Sequence, residues 1–104
     1  LELEIKNKQY YLDSELTLKS LADHLEMHPH SLSRVLNKAL NKCFADFINE
    51  YRVLAVKAKF REEKHEKSTL LEIALASGFN SKTTFNRIFK KFTGKTPQNF
   101  KKQQ

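Results

Sequence analysis

The apolar positions of this chain fall into stripes at helical spacing, and the stripes come twice. Leu18, Leu21, Ala22 and Leu25 stand at i, i+3, i+4 and i+7, which marks a helix with one apolar face. The pattern returns 52 residues later as Leu70, Ile73, Ala74 and Ser77. Leu32, Val35, Leu36 and Ala39 form a second stripe, which returns 53 residues later as Phe85, Ile88, Phe89 and Phe92. The tails match at the same 53, Asn41-Lys42 with Gly94-Lys95 and Phe47 with Phe100. Arg34 and Lys38 pair with Arg87 and Lys91 in that register. The shift from 52 to 53 falls between two helical patterns, where a turn absorbs one residue.

Local signals punctuate these stripes. Residues 2–10 read as a short polar helix, followed by a turn at Asp13-Ser14. Thr17 is a suitable N-cap for a helix running to about Glu26. Met27 and His28 make a tight turn, and Pro29 takes the first position of a helix running to about Leu40. A longer helix follows from about Phe44 to Glu62 or Lys64, a rod of roughly 28 Å. Its expected inward residues are Phe44, Phe47, Ile48, Tyr51, Leu54, Ala55 and Ala58. His65-Glu66-Lys67 reads as a charged, solvated link. Thr69 and Glu72 form a capping-box pattern, and Gly78 suits a helix end with positive φ. Ser81 caps the next helix, which ends at Gly94, and Thr96-Pro97 opens a last short one.

The expected fold class is all-α, with about seven helices and no sheet. Two helix-turn-helix subdomains, residues 12–43 and 68–102, are joined by a linker helix over 44–64, within one domain of 104 residues. The core should gather Phe85, Phe89 and Phe92 with Ile73 and Ala74, and Leu32 and Leu36 with Leu21 and Ala22. Eight Phe and three Tyr supply a core, and only two Gly and two Pro favour helices over strands.

Charge narrows the partner. The net charge is +7, which points to an anionic partner. Residues 1–52 carry seven Lys/Arg against eight Asp/Glu, a net of −1, whereas residues 53–104 carry twelve against four, a net of +8. The basic character lies in the second copy. No apolar stretch approaches a membrane span, and no signal-peptide pattern is visible. A single Cys43 suits a reducing cytosol, and its expected role is that of a small buried hydrophobe. The chain opens on Leu1, so a fragment of a longer protein is expected, with Leu1, Leu3 and Ile5 continuing a helix begun upstream.

With the inward faces assigned, the outward faces of the second helix in each copy stand out. They carry His30, Ser33, Arg34, Asn37 and Lys38 in the first copy, and Lys82, Thr83, Asn86, Arg87 and Lys90 in the second. These types suit the DNA major groove: Arg donates two bonds to guanine, Asn pairs with adenine, and a Thr methyl meets that of thymine. Neither face holds an acidic residue. Ser81, Thr84 and the helix N-terminal amides suit phosphates. One solvated helix face is ordinary; two in register with a duplication are not.

Other readings fare worse. His24, His28 and His30 are split by the predicted turn, and no carboxylate or cysteine completes a metal set. No nucleophile–base motif, Gly-rich phosphate loop or apolar carboxylate pair supports an enzyme, and no cofactor is expected. A helical module binding an acidic protein is the serious rival. It calls for large apolar or aromatic side chains on the outward faces, where this chain has small polar or cationic ones.

Over residues 12–102 the chain resembles the DNA-binding domain of the AraC/XylS family of bacterial transcription regulators. The residues that carry the resemblance are Ile73-Ala74, Gly78-Phe79, Ser81, Phe85, Arg87, Phe89-Lys90, Gly94, Thr96-Pro97 and Phe100. Leu21-Ala22, Leu32, Arg34, Phe47-Ile48 and Tyr51-Arg52 match the first motif and the linker. The resemblance implies two recognition helices in successive major-groove segments of double-stranded DNA. It places His30, Ser33, Arg34, Lys82, Thr83, Asn86 and Arg87 against bases. Asn37, Lys38, Ser81, Thr84 and Lys90 are then left for phosphates. It also implies a cytoplasmic protein, an N-terminal sensor or dimerisation region outside this fragment, and RNA polymerase as a further partner, with no membrane contact by this domain. The chain departs from the family at the first turn. His28 stands where a capping Ser is usual and Glu26 where Gly is usual, which predicts a weaker cap there.

Overall fold

A computed structural model describes residues 2–103. Among the described residues there are seven α-helices: α1 (Glu2–Lys8), α2 (Leu18–His24), α3 (Pro29–Ala39), α4 (Phe44–Phe60), α5 (Leu70–Ala76), α6 (Lys82–Thr93) and α7 (Pro97–Lys102). Short 3-10 turns at Tyr10–Leu12 and Glu63–His65 interrupt the connections. The described residues contain no strand. The expected continuation of α1 at Leu1 lies outside them.

The helix ends follow the local chemistry. Thr17 accepts from the Ser20 N–H and Thr69 from the Glu72 N–H, each in a reciprocal capping box. Gly94, at φ 78°, ends α6 by donating its N–H to the Lys90 carbonyl at 2.8 Å. Several ends fall short of expectation. Glu26 adopts φ 56° and stops α2 at His24. The rod ends at Phe60 because the Arg61 N–H turns back to the Ala58 carbonyl.

The duplication extends to three helices per copy. α2 and α5 start 52 residues apart, α3 and α6 start 53 apart, and so do α4 and α7. The added residue sits in the second helix-turn-helix, between Phe79 and Ser81. Both turns are closed alike, Met27 N–H to Ala22 carbonyl at 2.8 Å and Phe79 N–H to Ala74 carbonyl at 3.1 Å.

Two cores flank the rod. The first gathers Ile5, Tyr11, Leu16, Leu21, Ala22, Leu32 and Leu36 against Phe47 and Ile48. The second gathers Ile73, Ala74, Phe79, Phe85, Ile88 and Phe89 against Val53 and Val56. This corrects the expected inward face of the rod. Leu54, 53% exposed, and Ala58 face outward, while Val53 and Val56 are buried in their place. Residues advance by about 100° around a helix. Phe47, Ile48, Tyr51 and Ala55 therefore lie on one side, and Val53, Val56 and Phe60 on nearly the opposite side. A single stripe was the wrong template for a helix that serves two cores.

Other core expectations need adjustment. Phe92 is only half-buried at the edge of the second core, and Val35 and Ala39 are exposed because Leu32 and Leu36 carry α3 into the first core. Cys43 is exposed at the N-cap of α4 rather than buried. His65 is not a solvated link residue. Its ring is half-buried, with Nε2 3.4 Å from the Glu62 carboxylate.

Candidate nucleic-acid interface

Each copy presents α3 or α6 as its outer helix because Leu32 and Leu36, or Phe85 and Phe89, hold the opposite face in the core. That leaves His30, Arg34, Asn37 and Lys38 exposed on α3, with Ser33 half-buried among them. On α6, Lys82, Thr83, Asn86, Arg87 and Lys90 are exposed, and Ser81 and Thr84 are half-buried at the start. The two sets sit on different sides of the rod, since α3 packs against the face with Phe47 and Ile48 and α6 against the face with Val53 and Val56. The Arg34 and Arg87 guanidiniums form no ion pair with any described residue.

The starts of the two helices differ in chemistry. Ser81 Oγ accepts from the Thr84 N–H at 3.2 Å, which leaves its hydroxyl proton and the amides of Lys82 and Thr83 at the helix start. On α3 an imidazole does the capping. His28 Nδ1 accepts from the His30 N–H at 3.2 Å, and the two rings stack with centroids 5.3 Å apart. The cap predicted to be weak is present, and the stack orients His30 at the exposed corner. Ser33 Oγ accepts from the Asn37 side-chain amide at 3.4 Å, one turn on. His24 stacks on Tyr10 with ring centroids 4.7 Å apart.

Not every cation of the basic half is equally free. Lys91 Nζ is 2.9 Å from Asp46 Oδ1, so α6 is tied to the first turn of α4. The hydrogen bond from Lys91 holds the Asp46 carboxyl below the usual carboxylate range. Lys95 hydrogen-bonds Gln103. On α6 the cations with outward reach are Lys82, Arg87 and Lys90, on its exposed turns.

The sequence names Arg52 only as part of the match to the linker and gives it no role. It lies on α4 between the two buried sides of the rod. Its Nε donates to the Tyr11 carbonyl at 2.8 Å and its Nη2 to the Asp13 carbonyl at 2.9 Å. Burial lowers its pKa from the ordinary guanidinium value, and Asp13 opposes the shift. The signal available in the sequence was an arginine in the middle of a helix otherwise read as apolar on that stretch.

None of the helices among the described residues is long and apolar enough to cross a membrane. A helix-turn-helix domain family matches residues 21–103. An uncharacterised HTH-type transcriptional regulator of Bacillus subtilis, YtdP, is 30% identical over 92 residues, covering 88% of this chain and 12% of that protein. The melibiose operon regulatory protein of Escherichia coli is 28% identical over 90 residues, covering 86% of this chain and 29% of that protein. The chain thus spans less than a third of either relative. Among solved structures, the C-terminal domain of AraT, a response regulator from Geobacillus stearothermophilus, superposes with a TM-score of 0.78 at 27% identity, over 92% of this chain and 77% of that one. With two helix-turn-helix units on a shared rod and a family match over most of its length, this chain belongs to the AraC/XylS-type helix-turn-helix family, the DNA-binding domains of bacterial transcription regulators.

Proposed function

We propose that the chain grips double-stranded DNA by placing α3 and α6 in successive major-groove segments of one duplex. The observation that carries this reading is the pair of matched outer helices, each with a free arginine and no acidic side chain, on opposite sides of one rod. The 41 Å long axis of the molecule is sufficient to span one helical turn of B-DNA, about 34–36 Å. In this reading His30, Ser33 and Arg34 meet bases from the first unit, residues 12–43. Lys82, Thr83, Asn86 and Arg87 do so from the second, residues 68–102, across the linker 44–64. Asn37, Lys38, Ser81, Thr84 and Lys90 hold phosphates. The parent protein works in the cytoplasm, without enzymatic activity in this domain, and joins it to an N-terminal sensor or dimerisation region. RNA polymerase is its further partner.

The test is affinity for a preferred duplex, selected from a random pool, against a scrambled one over a range of salt. Phosphate contacts release counterions, so the log of the binding constant should fall steeply and linearly with log salt for both duplexes. The preferred duplex should stay ahead throughout. Equal affinity for both at every salt concentration would favour the acidic-protein alternative or simple polyanion binding.

A further inference from the structure

We propose that Arg52 and Gly78 form a fixed joint between the two units, and that this joint determines which spacing of half-sites the domain accepts. The proposal rests on the two-helix reading above. Arg52 is a positioning residue in it, since its guanidinium is committed to the protein itself.

Three chain segments meet at the joint. The first is the segment leading into α2, whose Tyr11 and Asp13 carbonyls both accept from the Arg52 guanidinium. The second is the rod, which carries Arg52 and also supplies Asn49, whose side-chain carbonyl lies 3.4 Å from Arg52 Nη1. The third is the turn of the second unit, brought in at Gly78. A Cβ added at Gly78 would stand 2.2 Å from the Tyr11 carbonyl oxygen and 2.8 Å from Arg52 Nε. The backbone oxygen cannot yield as a flexible side-chain tip would, and Gly78 also holds φ 102°, which side chains disfavour. The turn of the second unit therefore rests on the leader of the first only because that residue is glycine.

This contact bridges the two hydrophobic cores, since Tyr11 belongs to the first and Phe79, next to Gly78, to the second. Each core seats its own unit on the rod, and the Arg52 donations to the Tyr11 and Asp13 carbonyls with the Gly78 approach tie the leader of the first unit directly to the turn of the second. The fork geometry of arginine makes that setting directional, because Nε and Nη2 point at two carbonyls two residues apart. Lys91 and Asp46 add a further tie, between α6 and the first turn of the rod. A reader built this way presents α3 and α6 as one body. Adding one base pair between half-sites rotates one of them by about 34° around the duplex, since a turn holds about 10–10.5 base pairs. A fixed body then loses one half-site or must twist the DNA.

The experiment uses the 104-residue chain and four duplexes: the preferred site, the same site with one base pair inserted or removed between its halves, and the site with one half scrambled. For the unaltered chain, each spacing change should cost about tenfold or more in affinity, on the scale of a mismatched base pair. In Arg52→Met, which keeps the side-chain stem and loses the donors, the spacing penalty should shrink to about threefold or less. Its affinity for the half-scrambled site should stay within about twofold of the unaltered chain. Gly78→Ala should relax spacing in the same way. Should Arg52→Met not fold by circular dichroism, Arg52→Lys, which keeps charge but not the fork, carries the test. An undiminished spacing penalty in the folded variants, or an equal loss on all four duplexes, overturns the joint. If the unaltered chain ignores both spacing and the scrambled half, the two-helix reading itself falls, and the joint's role in spacing falls with it.

Discussion

The two copies share a backbone plan but specify it with different residues. At the turn after the first helix, the second copy has Gly78 at φ 102°, and the first copy has Glu26 at φ 56°. After the outer helix, Gly94 and Asn41 hold equivalent left-handed positions. The outer helices are capped by a Ser81 hydroxyl and a His28 imidazole. The third helices begin at Thr96, which caps the Asn99 N–H, and at Cys43, which makes no side-chain cap. At all four positions the second copy has the residue whose local preference matches the geometry. The first copy holds the same geometry through packing, since its third helix runs on as the rod and α1 with the Tyr10–Leu12 turn closes its core. A weak local signal is sufficient where tertiary contacts supply the rest.

That contrast can be broken most directly in the cores. Phe89 is fully buried and lies within 5.3–6.0 Å of the rings of Phe100, Phe85 and Phe60. Phe89→Ala should cost about 3–5 kcal/mol in urea titration, and amide exchange should quicken first in α5, α6 and α7. A loss below about 1 kcal/mol would show that this ring cluster does not hold the second unit together.

Smaller changes sharpen the same contrast. Glu26→Gly should stabilise the chain by about 1 kcal/mol, because a side chain in the left-handed region is strained. Cys43→Ser should add about 0.5–1 kcal/mol by supplying the missing cap. Thermal melts of both variants check this, and a fall in either midpoint would mean that the resident side chain has a contact worth more than the local preference.

The smallest effect concerns the brace between the units. The folded Asp46 carboxyl titrates below its ordinary value because Lys91 hydrogen-bonds its charged form. Its contribution is therefore complete at neutral pH and is lost as pH falls below the ordinary carboxylate value of about 3.9 toward the folded one. Asp46→Asn should cost less than about 1 kcal/mol at neutral pH, as an exposed pair does. The difference from the unaltered chain should vanish in acid, and a difference that grows on acidification would contradict the pairing.

Much of this was legible in the sequence, for physical reasons. The stripes of α2, α3, α5 and α6 face one core each, so a single period describes them. Thr17, Thr69, Ser81, Gly94 and Thr96 announce their helix ends through their own chemistry. The rod was misread because Val53 and Val56 belong to a second face, and a one-stripe template puts Leu54 inside. The contacts of Arg52 were out of reach because its partners are the Tyr11 and Asp13 carbonyls, some 40 residues upstream, and backbone oxygens leave no trace in the residue types. His65 was misjudged for a similar reason, since a charged neighbourhood conceals a ring that packs. The outward faces of α3 and α6 were legible because they are what the stripes leave over.

Selection of preferred duplexes from a random pool, run in parallel with the unaltered chain, Arg34→Ala and Arg87→Ala, tests the two-helix reading most directly. The unaltered chain should yield two clusters of preferred bases separated by about one helical turn. Each variant should lose about 1–3 kcal/mol on the preferred site and flatten one position in one cluster, Arg34→Ala in one and Arg87→Ala in the other. A single cluster, or both variants flattening the same position, or a uniform loss on every duplex with preferences intact, would contradict the account.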